Sequence, residues 1–224
     1  MSRSFIDLNN VEFEVENKVK ILSGVNLQIE KGECVVLQGV SGSGKTTLLS
    51  LLAGLERPTS GDIVVEEQHI AKMPQHHLSN YLREKVAIVF QNFNLIKHLS
   101  VYENIEAVLV PTKLSTRTVK ELVKTAMKKA QIEHKKDALA ATLSGGEMQR
   151  CSIARAIVNT PDIILCDEPT ANLDRANSLA FVEMLQKLHE FGHTVVVATH
   201  DPLFDNLAFV TKRVYMEDGS IVHG

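Results

Sequence analysis

The chain has 224 residues, 44% of them hydrophobic and 23% charged, with 24 basic against 27 acidic side chains. That length holds one or two ordinary domains and buries a core without staples. A net charge of -3 without a block of like charge argues against a nucleic-acid or anionic-lipid patch.

Cys34, Cys151 and Cys166 lie far apart with no C-x-x-C pair. This spacing disfavours a disulfide framework or zinc ribbon and fits a reducing compartment. Met1-Ser2-Arg3-Ser4-Phe5, with Asp7 close behind, has no signal-peptide apolar region. The longest strongly apolar stretch, residues 48–55, is far short of the ~20 needed to cross a bilayer. We therefore expect a cytoplasmic chain that reaches a membrane, if at all, through a partner.

In chain order, residues 5–8, 11–15 and 25–29 alternate apolar with polar, the period of half-buried antiparallel strands. Glu33-Cys34-Val35-Val36-Leu37-Gln38 is a short apolar run ending in a glycine loop. Residues 46–55 read as a helix stopped by Gly54 and Pro58, and Ser60-Gly61 introduces a short strand at 62–65. From about residue 93 to 158 helical spacing dominates. Val119, Leu122, Val123, Ala126, Met127 and Ala130 share one face of residues 116–131. Arg117, Lys120, Lys124 and Lys128 share the other, which we read as solvated. After Pro161 come a strand at 163–166, a helix at 176–190, a strand at 194–198, a short helix after Pro202, and strands near 214–216 and 221–222. Apolar strands alternating with helices predict an α/β fold with a mostly parallel, two-sided sheet. The economical organisation is one domain over 1–224, a core of 1–90 and 159–224 with an antiparallel β part, and a helical insertion at 91–158.

Three stretches carry chemistry. Gly39-Val40-Ser41-Gly42-Ser43-Gly44-Lys45-Thr46 fits G-x-x-x-x-G-K-[ST], with a strand before it and a helix after. Its glycines let backbone N–H groups wrap a phosphate, and the helix adds its positive end. Lys45 suits the β- and γ-phosphates of ATP, and the Thr46 hydroxyl suits Mg²⁺. Ile163-Ile164-Leu165-Cys166-Asp167-Glu168 is a buried strand ending in two carboxylates, one suited to Mg²⁺ through water and one to polarising an attacking water. Cys166 reads as a small buried hydrophobe. Leu143-Ser144-Gly145-Gly146-Glu147-Met148-Gln149-Arg150 opens a helix with a capping box from Ser144 to Glu147, and its N–H groups make a second anion site. His76-His77 has no further metal ligands beside it.

These motifs, with His200 downstream, stand in the order and spacing of ABC-type ATPases, and the chain resembles that family over nearly its whole length. The resemblance implies a P-loop NTPase (RecA-like) core with a helical subdomain. It implies ATP and Mg²⁺ held by Gly39, Ser41, Gly42, Ser43, Gly44, Lys45, Thr46 and Thr47, with Thr46, Gln91 and Asp167 at the metal. Glu168, His200 and Gln91 are implied in catalysis. Ser144, Gly145, Gly146 and Glu147 are implied at the partner's γ-phosphate, and Asp174 in the loop Ala171-Asn172-Leu173-Asp174. Phe13 reads as core or, by the resemblance, as the aromatic under adenine, where the family more often has Tyr. Gln91 and Asp174 also read as loop polar residues.

The family works as an ATP-dependent head-to-tail dimer. Residues 90–104 and 169–174, with Arg57-Pro58-Thr59-Ser60-Gly61, resemble its lipoprotein-release, macrolide-efflux and cell-division branch. The resemblance implies integral-membrane permease subunits as partners, a peripheral place on the inner face of the membrane, and no nucleic acid. Phe93, Leu95, Ile96 and Leu99 read as a groove for a partner's coupling helix or as internal packing. An ATPase acting on a soluble protein scaffold, as in iron–sulfur cluster assembly, is the alternative; a P-loop nucleotide kinase leaves residues 143–149 unexplained. The turn Glu66-Glu67-Gln68 stands where the family has Asn-Gly, which predicts a longer or looser hairpin.

Overall fold

The computed structural model describes residues 4–15 and 18–223. Residues 1–3, read above for a leader, lie outside them. Two sheets form the frame. In the first, β1 (Ile6–Val15), β2 (Val19–Ile29), β4 (Ser60–Val65) and β5 (Gln68–His69) are antiparallel in the order β2-β1-β4-β5. A register shift between Leu8 and Val11 returns the apolar side chains of β1 to one face, so both remain buried.

The second sheet has the order β10-β9-β3-β8-β7-β6. It comprises β3 (Cys34–Gln38), β6 (Val86–Val89), β7 (Ile163–Asp167), β8 (Thr194–Ala198), β9 (Lys212–Glu217) and β10 (Ser220–His223). All its pairings are parallel except β9 with β10. Its central strands are apolar on both faces, as a covered parallel sheet requires. Cys34, Val36, Ile164, Cys166, Val195 and Val197 face a core shared with the helices. Val35, Leu37, Ile163, Leu165, Val196 and Ala198 face a second core under the antiparallel sheet.

The helices are α1 (Lys45–Leu52), α2 (Gln75–Glu84), α3 (Val101–Glu106), α4 (Thr116–Lys129), α5 (Gly145–Ile157) and α6 (Arg175–Glu190). On α4 the expected face is the inner one, with Val123, Ala126 and Met127 buried. Helix α1 ends at Leu52, short of the expected residue 55. Helix α2 escaped the sequence reading because only Leu78 and Tyr81 anchor it. The Tyr81 hydroxyl donates to Leu52 O at 2.9 Å, tying α2 to the end of α1. The 66–67 turn is tight, not loose. Val65 pairs with Gln68, and Glu66 and Glu67 take φ of 46° and 66°, the left-handed pair that a two-residue hairpin demands. Glu66 is anchored there by Lys85 at 2.9 Å and Lys31 at 3.5 Å.

Candidate functional site

The carboxyl ends of β3, β7 and β8 meet at one edge of the parallel sheet, where α/β folds place their ligands. After β3 the chain turns through residues 39–44 into α1. Gly39 has φ 145°, and a Cβ there would lie 2.2 Å from Met216 O, so only glycine fits. Gly44, at φ 98°, starts α1 with no side-chain cap, which leaves the first N–H groups of the helix for a ligand. Ser43 Oγ is buried without a partner. A buried hydroxyl without a protein partner on such a loop suits a phosphate oxygen.

Lys45 is buried to 6% exposure. Its Nζ donates to Gly39 O at 2.7 Å and Val40 O at 3.0 Å, and stands 4.0 Å from Glu168 Oε1. Thr46 and Thr47 follow on the first turn of α1, Thr46 exposed and Thr47 half-buried, and Ser41 and Gly42 lie exposed on the loop. The Thr46 hydroxyl donates to Asp167 Oδ1 at 2.9 Å. Burial raises the Asp167 carboxyl above its usual range; the Thr46 bond opposes this, the Glu168 charge adds to it, and Lys45 offsets part. Hydroxyl and carboxylate oxygens suit a hard cation such as Mg²⁺, which supplies charge neutralisation to phosphoryl oxygens.

Glu168 sits at φ 43°, a strained conformation for a side chain of its kind. Its Oε1 faces His200 Nδ1 at 2.9 Å, and Oε2 accepts from the Thr199 hydroxyl at 3.1 Å. The Asp167 to Ala198 register of β7 and β8 is what brings these groups together. A cavity of about 620 Å³ opens beside them, lined by Gln38, Gly39, Val40, Ser41, His200 and Tyr215, with Asp205 at its rim. Gln38, which donates to Asp205 Oδ1 at 2.7 Å, and Tyr215 belong to no motif. Nothing in the linear sequence links residues 167 positions apart, so they were missed.

The second anion site lies at α5. Ser144 Oγ accepts from Glu147 N, and Ser144 N donates to Glu147 Oε2 at 2.8 Å, a complete capping box. Those bonds, with Lys135 at 3.1 Å, hold the Glu147 carboxyl down at about 2. Gly145 lies against Asn172 and Leu173, and a Cβ on Gly146 would meet Asn177 Oδ1 at 2.1 Å. Asp174 caps α6, accepting from Asn177 N at 2.8 Å.

Gln91 is exposed just past β6, and its backbone O accepts from Asn172 Nδ2 at 3.0 Å. Phe93 and Asn94 follow at φ 58° and 48°, and Arg155 of α5 donates to Phe93 O at 2.7 Å. Phe93 is therefore buried, and Leu95 packs on the helical core; only Ile96 of the four groove candidates is exposed. Phe13 is half-buried on the core face of β1, paired across the sheet with Leu22, whose side chain abuts Gly44.

This fold and this edge define an ATP-binding cassette, and the comparisons agree: residues 22–171 match the family described as ABC transporter, and the chain belongs to that family of ATPases. It is 41% identical over 203 residues to the macrolide export ATP-binding/permease protein MacB of Campylobacter jejuni, over 90% of this chain and 31% of that protein. It is 37% identical over 218 residues to the cell division ATP-binding protein FtsE of Bacillus subtilis, over 97% of this chain and 94% of that one. The chain thus spans about a third of the macrolide exporters it matches. Its fold superposes on the dimeric bacterial ABC transporter cassette MJ0796 at TM-score 0.88, 35% identity and 97% coverage of both chains. A post-hydrolysis dimer of that cassette with ADP and Pi gives 0.87.

Proposed function

We propose that two copies of this chain close head to tail over two ATP molecules and drive a membrane partner. One subunit holds each nucleotide on residues 39–47, with Lys45 on the phosphates and Thr46, Asp167 and Gln91 toward Mg²⁺. Glu168 polarises the attacking water, and His200 orients Glu168 and contacts the γ-phosphate. Ser144, Gly145, Gly146 and Glu147 of the other subunit complete the site, with Asp174 in the adjoining loop. Phe13 stands on the adenine side. ATP attracts both helix ends, and hydrolysis removes that attraction, so closure and opening follow the nucleotide.

The observation that carries this reading is the Lys45, Glu168 and His200 cluster, closed by contacts of 4.0 Å or less, beside the Thr46–Asp167 pair at an uncapped helix. Phosphate here replaces Gly39 O and Val40 O as the partner of Lys45.

A groove of about 320 Å³ at the sheet edge supports a membrane partner over a soluble scaffold. Leu82, Ile88, Phe90, Val108 and Ala156 line it, next to the Gln91 segment. A short amphipathic helix of a permease subunit fits such a groove, and a push there reaches Gln91 directly. Among the described residues no helix is long and apolar enough to cross a membrane. The partner supplies the spans, and this chain works from the cytoplasmic face in export, lipoprotein release or mechanotransmission. Size-exclusion chromatography with ATP tests the closing step. Glu168→Gln gives a stable dimer that retains ATP, while Lys45→Ala stays monomeric and loses nucleotide affinity. A monomeric Glu168→Gln protein overturns the model.

A further inference from the structure

Three segments far apart in sequence meet at Asn172. Its Nδ2 donates to Gln91 O at 3.0 Å and approaches Asn92 Oδ1 at 3.4 Å. Its own carbonyl lies 3.6 Å from the position a Cβ on Gly145 would take. Two residues on, Asp174 fixes α6 through Asn177, and Asn177 packs on Gly146. The Gln91 segment is held on its other side by Arg155, which reaches Phe93 O from α5, the helix that Ser144 starts. The residues 93–94 are both left-handed, so this segment has no regular structure of its own to fix it. A side-chain amide and a guanidinium supply that constraint.

We infer that Asn172 is a positioning residue: its amide holds the Gln91 backbone in register with the Gly145–Gly146 turn, so the water-placing glutamine and the neighbour-facing helix end move as one body. The inference rests on the assignment of Gln91 to the attacking water and Mg²⁺. An exposed Asn with no role in the fold would tolerate Ala. Here the loss frees Gln91 O and lets a strained turn drift, and a drift of about 1 Å at a reacting group costs up to roughly 10²-fold in rate.

The test is a double-mutant cycle on steady-state ATP hydrolysis by the purified chain with Mg²⁺. Asn172→Ala and Gln91→Ala are each expected to lower kcat about tenfold or more with KM within about twofold. The double variant is expected to be no slower than Gln91→Ala alone. Asn172→Asp keeps the size and loses the donor, and is expected to match Asn172→Ala, which space-filling does not predict. Adding Asn172→Ala to Glu168→Gln is expected to leave the ATP-dependent dimer intact, which separates positioning from unfolding. Wild-type kcat in either Asn172 variant, or losses that multiply in the double variant, overturns the inference and leaves the Gln91 assignment standing. Wild-type kcat in Gln91→Ala overturns the assignment beneath it.

Discussion

The two helix ends suited to phosphate are built in opposite ways. Helix α1 starts at Gly44 with no cap, a buried lysine and an orphaned serine hydroxyl. Helix α5 starts at Ser144 with its own capping box, a carboxylate in the first turn and a lysine holding that carboxylate. The first end leaves its N–H groups unsatisfied and gains most from an anion. The second has met part of that demand internally and carries a negative charge, which weakens its pull on phosphate. In the proposed dimer one end is a nucleotide site by itself; the other adds to a site already formed. The second packs against residues 172–177 of its own fold; in the proposed head-to-tail pair it meets the phosphate held by the neighbour's first end.

Breaking the first end is expected to have the largest effect. Lys45→Ala removes the charge proposed to bridge the phosphates; kcat/KM is expected to fall roughly 10³-fold, and the ATP-induced rise in Tm to vanish. Gly146→Ala strikes the second end, because its Cβ collides with Asn177 Oδ1. That variant is expected to keep the ATP-induced Tm shift and lose most of its turnover. Mixing the two variants then sharpens the comparison. Head-to-tail pairing joins the sound phosphate loop of Gly146→Ala to the sound α5 end of Lys45→Ala, so hydrolysis returns in the mixture. Two sites each made by one chain predict no recovery, and an ATPase titration of one variant into the other decides between them.

A smaller effect separates function from stability at the first end. Burial raises the Asp167 carboxyl in the nucleotide-free chain, so its charged form destabilises the fold at neutral pH. Asp167→Asn keeps the acceptor for the Thr46 hydroxyl and removes the charge. Its Tm without nucleotide is expected to rise by a few degrees while ATP hydrolysis is lost. The sign is the check: a fall in Tm would mean that Lys45 already compensates the buried carboxylate.

Most of the first end was legible in the sequence, because G-x-x-x-x-G-K-[ST] fixes backbone geometry over eight adjacent residues and leaves little to tertiary context. The strands of the parallel sheet were legible for a related reason: their apolar runs have no other place than a covered sheet. What stayed hidden depends on register. Asn172 reads as one polar residue in a loop, and only folding sets it beside Gln91. Gln38 and Asp205 meet because β3 and the segment after β8 lie side by side. Helix α2 was invisible since two anchors in ten residues make no stripe. The 66–67 turn was misjudged because Glu at positive φ is costly by itself; the lysines at 31 and 85 offset that cost, and they lie far away in sequence.

The smallest expected effect tests the self-capping of α5. Glu147 is held at about 2, from an ordinary 4.5, chiefly by the Ser144 N–H and then by Lys135. A carboxyl depressed in the folded state contributes stability above its unfolded value and loses it as pH falls through the folded one. The contribution is thus complete above about 4.5 and fades toward 2. Glu147→Gln keeps an oxygen for the Ser144 N–H and lacks the charge, so the wild type's advantage in urea unfolding is expected to be small at pH 7 and to shrink steadily between pH 4.5 and 3. An advantage that does not change over that range would mean that shape, not charge, caps the helix. The same substitution removes the negative charge that, in the proposed dimer, faces the neighbour's phosphate. If the first-turn carboxylate is what keeps α5 from competing for nucleotide by itself, Glu147→Gln lowers the ATP concentration needed to dimerise the Glu168→Gln protein, even as it loosens the fold.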